Sequence, residues 1–120
     1  MIFDTFIFFN EIELLDIRLN ILNDCVDRFV LVEATKTFQG KHKPLFFEQS
    51  KHLFERYKDK IIHVVVDDLP VNAAPFDREY FQRDAILRGL DGCGSEDLII
   101  ISDLDEIPNP EVIPKYLEKG

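Results

Sequence analysis

Apolar runs alternate with amphipathic stretches along the whole chain, and that alternation predicts the elements in turn. Residues 6–9 (FIFF) read as a first strand. Ile12, Leu15, Leu19 and Leu22 then recur at spacings of three and four, the mark of a helix with one apolar face. Residues 29–32 (FVLV) form a second strand closed by Glu33, and ATKTFQGKHKP is a long loop carrying Gly40 and Pro44. Leu53, Phe54 and Tyr57 suggest a short helix. Residues 61–66 (IIHVVV) are a third strand, rich in β-branched side chains and with His63 inside it. After the loop VNAAP, a helix from residue 77 to about residue 90 should turn Tyr80, Phe81, Ala85 and Leu87 inward. Residues 98–101 (LIII) are the fourth strand. Asn109 is placed to cap a last helix, with Pro110 at its first position.

Strands that are apolar throughout, rather than alternating, are buried on both faces. Joined by helices, they imply parallel pairing with right-handed crossovers. The expected fold is α/β: a Rossmann-like parallel sheet of about four strands with flanking helices. A chain of 120 residues makes this a single domain with one core.

Charge narrows the partners. With 14 Lys and Arg against 23 Asp and Glu, the formal net charge is -9. Such a balance repels phosphate backbones and anionic membrane surfaces, so nucleic acid is not an expected partner. It tolerates a cation that bridges a polyphosphate ligand. Cys25 and Cys93 belong to no CxxC or Cys/His spacing and are expected as reduced thiols. The N-terminal MIFDTFIFF is too short for a membrane span, is interrupted by Asp4 and lacks the marks of a signal peptide. A cytoplasmic protein with no membrane segment in this chain is the expectation.

One stretch carries candidate chemistry. In LIIISDLDEIPN the most apolar strand runs straight into Asp103, Asp105 and Glu106, and Pro108 stiffens the exit. In parallel α/β sheets, ligands bind beyond the carboxyl ends of the strands, which is where this cluster falls. On an extended chain Asp103 and Asp105, two apart, would face one side and Leu104 the core. Two hard oxygen ligands suit Mg²⁺ or Mn²⁺, with other positions left for water and phosphate oxygens. A DxD triplet alone also describes a solvated acidic loop that caps a helix.

Beyond pattern, the chain resembles glycosyltransferase family 17, which contains the transferase that adds the bisecting N-acetylglucosamine to N-glycans. The resemblance rests on FFNEIELLDIRLNIL, DRFVLVEATKTFQGKHKPLFF, KIIHVVVDDLP, EYFQRDAI and LIIISDLDEIP, in that order from Ile2 to Pro110. It implies the nucleotide-sugar-binding half of a GT-A-type fold. It further implies a UDP-sugar donor, with N-acetylglucosamine as the expected sugar, a glycan acceptor, and Mn²⁺ or Mg²⁺ at Asp103 and Asp105. Asp103 would also meet the donor diphosphate. Asn10 and Glu11 follow the first strand, where the donor nucleoside lies in this fold class, and Glu33 closes the strand beside it. Arg83, in the family's Gln-Arg pair, would contact the diphosphate or hold the acidic turn.

Each of these has a plainer reading. Asn10 serves as a helix cap, and Arg83 pairs with Glu79 one helical turn away. His63 is expected as a strand residue, and His42 and Lys43 as solvated. Family members continue well past the acidic turn, and that later part is expected to bring acceptor binding and the general base. Either a missing C-terminal half or a partner, a second copy included, would then complete the site. Three other classes compete. A Toprim-like nucleic-acid module would also pair a strand-end glutamate, Glu33, with a later DxD. A haloacid-dehalogenase-type phosphatase would want the motif after the first strand. A non-catalytic nucleotide-sugar-binding module would share the donor site without turnover.

Overall fold

The computed structural model of the chain describes residues 1–115. Four strands, β1 (Ile2–Ile7), β2 (Arg28–Ala34), β3 (Ile61–Val66) and β4 (Leu98–Ile101), form one sheet in the order β3-β2-β1-β4. Every pairing in it is parallel. The fold is therefore α/β and Rossmann-like, as the unbroken apolar strands require. Helix α1 (Ile12–Leu22) joins β1 to β2, and α2 (Phe46–Ser50) runs into a 3-10 segment (Lys51–Tyr57) before β3. Helix α3 (Pro75–Asp84) runs into a second 3-10 segment (Ala85–Gly89) before β4.

Side-chain alternation along the strands divides the core in two. On one face Ile2, Phe6, Phe29 and Leu31 pack with Leu15, Leu19 and Leu22 of α1 and with Phe47, Phe54 and Tyr57. On the other, Phe3, Val30, Val32, Val64 and Val66 pack with Ala85 and Ile86. The close approach there is made at Gly89, where an added Cβ would stand 2.5 Å from a methyl of Val30. Cys25 packs at the edge of the first cluster and Cys93 at the edge of the second, so the two free thiols sit on opposite faces of the sheet.

Several local expectations are corrected. The first strand spans Ile2–Ile7 rather than residues 6–9; Phe8 and Phe9 lie beyond it. The early half was hidden by Asp4 and Thr5, two polar residues that are fully buried in the strand. Tyr80 and Leu87 are exposed, 53% and 71%, and not inward. Arg78 and Gln82 take the inner positions of α3, and the tighter winding after Asp84 shifts the inward phase to Ala85 and Ile86. Leu53 is exposed, while Phe54 and Tyr57 are buried. Strand β4 is not covered on both faces. It is an edge strand, the α3 side packs over β1 to β3, and Ile99 and Ile101 are left exposed. Asn109 Oδ1 accepts a hydrogen bond from the Glu111 amide, but residues 110–112 form a turn and the helical residues begin at 113, so Pro110 does not open the last helix; the part expected after residue 115 lies outside the described residues.

The topology fixes where a ligand can enter. From β1 the chain winds outward through β2 to β3, then returns across the sheet to place β4 on the other side of β1. Loops leaving β1 and β4 therefore part at their carboxyl ends, and such a switch point is where α/β sheets open a crevice.

Candidate functional site

A cavity of about 490 Å³ opens at that switch point. Its lining comes from the exit of β1 (Ile7, Phe8, Phe9, Glu11), the turn after β4 (Asp103, Leu104, Asp105), α3 (Glu79, Gln82, Arg83) and the loop after β2 (Lys36, Thr37, Phe38, Lys43). Four of the residues expected from sequence thus meet here: Glu11, Arg83, Asp103 and Asp105. Asn10 and Glu33 are not among the lining residues.

The acidic segment is not extended. The Glu106 amide donates to the Asp103 carbonyl at 2.9 Å, closing a tight turn, and Glu106 Oε1 accepts from the Asp103 amide at 2.9 Å. Leu104 is buried, as its alternation with the aspartates predicts, while Asp103 and Asp105 are exposed. The turn rather than a pleat brings both carboxylates to one cavity. Beneath it sits Arg18, which has no exposed surface. Its Nη1 donates to the carbonyls of Asp103 (2.7 Å), Leu104 (3.1 Å) and Glu106 (3.3 Å), and its Nη2 to Ser102 Oγ (2.7 Å). Nε and Nη2 clasp the two oxygens of buried Asp4 at 2.8 and 2.6 Å.

Arg83 reaches from α3 toward the turn. Its guanidinium stands 3.4 Å from Asp103 Oδ1 and 3.4 Å from Glu79 Oε1, so the contact to the acidic turn that the resemblance implies and the plainer helix pair are both present, as loose, half-exposed contacts. Such pairs contribute little to stability. Asn10 is exposed and no side chain caps α1; the Asn10 amide donates instead to Glu11 Oε1 at 2.7 Å.

Glu33 lies outside the cavity lining. Fully buried, it accepts from the amides of Phe47 (3.2 Å) and Glu48 (3.3 Å) at the start of α2 and pairs with Nε2 of His63. Its oxygens are committed within the protein. His63 is a strand residue, as expected, with this added pairing.

The loop after β2 was expected to be solvated at Lys43, and the structure corrects this. A short antiparallel bridge between Lys36 and His42 folds the loop over the cavity. Gly40 turns it at φ 85°, and a Cβ there would stand 3.0 Å from the Arg78 guanidinium. Arg78 in turn donates to the carbonyls of Phe38 (2.9 Å), Pro70 (2.8 Å) and Val71 (2.6 Å), tying the loop to the segment before α3. Lys43 Nζ lies 5.2 Å from the ring centre of Phe9 and 5.5 Å from that of Phe46. Burial pulls its ammonium below the ordinary lysine value, against the opposing pull of Glu33 and Glu11.

Arg18, Lys36 and Lys43 are the residues that sequence reasoning missed. Arg18 had a signal: it sits on the inward face of α1, beside Leu15, Leu19 and Leu22, and Asp4 interrupts an apolar strand. The lysines had none, since a loop's course is not written in its hydropathy. The lining holds four carboxylates (Glu11, Glu79, Asp103, Asp105) and three cations (Lys36, Lys43, Arg83). It is close to balanced in a chain of net charge -9, so cations are concentrated here.

The comparisons with known proteins agree with the resemblance. The relatives include the human protein named Beta-1,4-mannosyl-glycoprotein 4-beta-N-acetylglucosaminyltransferase, 33% identical over 108 residues. The rat protein of that name is also 33% identical, and the mouse one 32%. Each match covers 82% of this chain but 20% of the relative, so the chain spans about a fifth of the length of these proteins. No solved structure matches. The model of glycosyltransferase family 17 matches residues 1–118, and the chain belongs to that family.

Proposed function

We propose that this chain is the donor-binding part of a glycosyltransferase with a GT-A-type arrangement. The UDP-sugar enters the cavity between β1 and β4, and a divalent cation, Mn²⁺ or Mg²⁺, is held at Asp103 and Asp105. The sugar is N-acetylglucosamine and the acceptor a glycan, a reading that leans on the activity for which the relatives are named. The observation that carries the proposal is the pair of exposed carboxylates in a cavity that also gathers Arg83, Lys36 and Lys43.

The donor set fits a bridging cation rather than a fully enclosed one. Among the described residues no group of three or more His, Cys, Asp or Glu side chains could hold a metal. Two aspartates are what a small, strongly hydrated dication takes when substrate phosphates and water supply its other oxygens. Four carboxylates against three cations leave the lining net negative, so a diphosphate entering alone meets repulsion. A bound dication would neutralise charge developing on the departing nucleoside diphosphate. Arg83, loosely held by Glu79 and Asp103, can turn to a phosphate oxygen without losing a strong bond. Lys36 and Lys43 add positive charge from the loop side. Phe9 and Phe38 give the lining flat apolar surface of the kind a nucleobase packs on. A metal module acting on nucleic acid fits less well, because it would need Glu33 at the cavity.

Calorimetry with UDP tests the reading. Binding should be clear with Mn²⁺ and much weaker with a chelator, and UDP-N-acetylglucosamine should compete for the same site. Equal affinity in both conditions would remove the cation from the proposal. Displacement of UDP by short oligonucleotides would favour the nucleic-acid reading instead.

A further inference from the structure

We infer that Arg18, clasped by Asp4, is the positioning residue of the acidic turn: it draws the turn's backbone inward so that the Asp103 and Asp105 carboxylates face the cavity. The role rests on the proposed metal-supported donor site and adds to it a residue that touches neither metal nor donor.

The geometry gives the reason. Three carbonyls of one turn, those of Asp103, Leu104 and Glu106, converge on the single nitrogen Nη1 at 2.7 to 3.3 Å. Converging carbonyls are a cage for a positive charge, and here the protein supplies that charge itself. With the carbonyls and Leu104 turned inward, the flanking aspartates are left on the outer side. Ser102 locks the arrangement, since its hydroxyl accepts from Arg18 Nη2 at 2.7 Å and donates to the Glu106 carbonyl at 3.0 Å. Asp4 neutralises the buried guanidinium through two short bonds, and Phe6 lies under it with its ring centre 4.9 Å away. Arginine's planar fork can serve a carboxylate and several carbonyls at once. Asp4 is in β1 and Arg18 in α1, so strand, helix and turn are joined at one guanidinium directly beneath the cavity.

Arg18→Lys tests the role, because it keeps the charge but cannot reach Asp4, Ser102 and three carbonyls together. Two readouts separate positioning from bulk stability. In calorimetry, UDP affinity with Mn²⁺ should fall at least tenfold, whereas the weak affinity in chelator should not change. In amide hydrogen exchange, Glu106 and Asp103 should lose protection by tenfold or more, while Val30 and Leu31 in β2 keep theirs. A folded Arg18→Lys protein with wild-type UDP affinity in Mn²⁺ overturns the inference. So does a loss of protection spread evenly over turn and sheet. If Arg18→Lys does not fold, Ser102→Ala decides in its place: a several-fold loss of Mn²⁺-supported affinity is expected, and an unchanged affinity overturns the role. If the wild-type chain shows no Mn²⁺-supported UDP binding, the donor-site reading fails, and the exchange readout alone still decides whether Arg18 orders the turn.

Discussion

Glu33 on β2 and Asp103 beyond β4 both bring a carboxylate to the carboxyl side of one sheet, on either side of β1, yet they end in opposite circumstances. Glu33 has no exposed surface, and both its oxygens are taken by the Phe47 and Glu48 amides and by His63. Asp103 keeps 59% of its side chain exposed and has only the 3.4 Å contacts to Arg83, while its own backbone is anchored from below. Burying a carboxylate is costly unless hydrogen bonds replace its water. A carboxylate so satisfied has nothing left for a ligand. Of the two acids, only Asp103 therefore keeps bonds free for a ligand, although both stand at strand ends.

The contrast breaks most visibly at Glu33. Glu33→Ala would leave two amides at the start of α2 and the His63 ring without their partner, a loss of about 3 kcal/mol or more on the scale of buried groups stripped of a partner. Urea unfolding should show it as a lower midpoint with an unchanged slope, and the folded remainder should bind Mn²⁺ and UDP as before. A stable Glu33→Ala protein that has lost UDP affinity would reverse the assignment of the two acids.

Asp103→Asn asks the complementary question. The side chain is exposed and its contacts are loose, so the melting temperature should hardly move. Metal-supported UDP affinity should drop by more than the roughly 10- to 100-fold typical when a mere neighbour of a ligand is removed. Asp105→Asn should behave alike. Unfolding, with binding intact in whatever stays folded, would make the turn structural. Arg83→Met follows with a smaller effect. Both of its pairs are half-exposed at 3.4 Å, so stability should be unchanged and UDP affinity several-fold weaker, with the ratio between Mn²⁺ and chelator retained.

Sequence reasoning could see one side of this contrast. The parallel sheet, the elements α1 and β3, and the placement of the DLDE turn beyond β4 followed from periodicity and from the rule for strand ends. Asp103 and Glu33 looked alike, because hydropathy reports that an acid follows an apolar run and not which groups will surround it. Telling them apart needed the fold of α2, whose first amides come back onto β2 from thirteen residues downstream of the strand's last residue, Ala34. Arg18 and Asp4 were legible as anomalies, an arginine on an apolar helix face and an acid inside a strand, but only their pairing gives them meaning. The exposed Ile99 and Ile101 misread for a related reason: LIII looks doubly buried, and only the strand order shows that β4 is at the edge.

The smallest expected effect, at Lys43, sharpens the contrast from the side of the cations. Lys43 reaches the cavity wall between Phe9 and Phe46, and burial holds its ammonium below the ordinary lysine value. A lowered value means the charge is lost earlier as pH rises, so the free protein gives up one cavity cation before exposed lysines titrate. If that cation helps hold the donor diphosphate, UDP affinity in Mn²⁺ should decline on the alkaline side at a pH below the usual lysine range. Phosphate near the ammonium favours its charged form, so proton uptake should accompany binding there, measurable as a dependence of the calorimetric heat on buffer ionisation. Lys43→Arg stays charged and should move the decline to higher pH, whereas Lys43→Met should flatten it and weaken binding by only a few-fold. The same alkaline decline in Lys43→Met would assign it to another group and leave Lys43 as wall rather than as a donor contact. Glu33→Gln joins the two halves of the comparison: it removes one of the charges that hold Lys43 protonated, and the decline should then begin at lower pH although Glu33 itself never meets the donor.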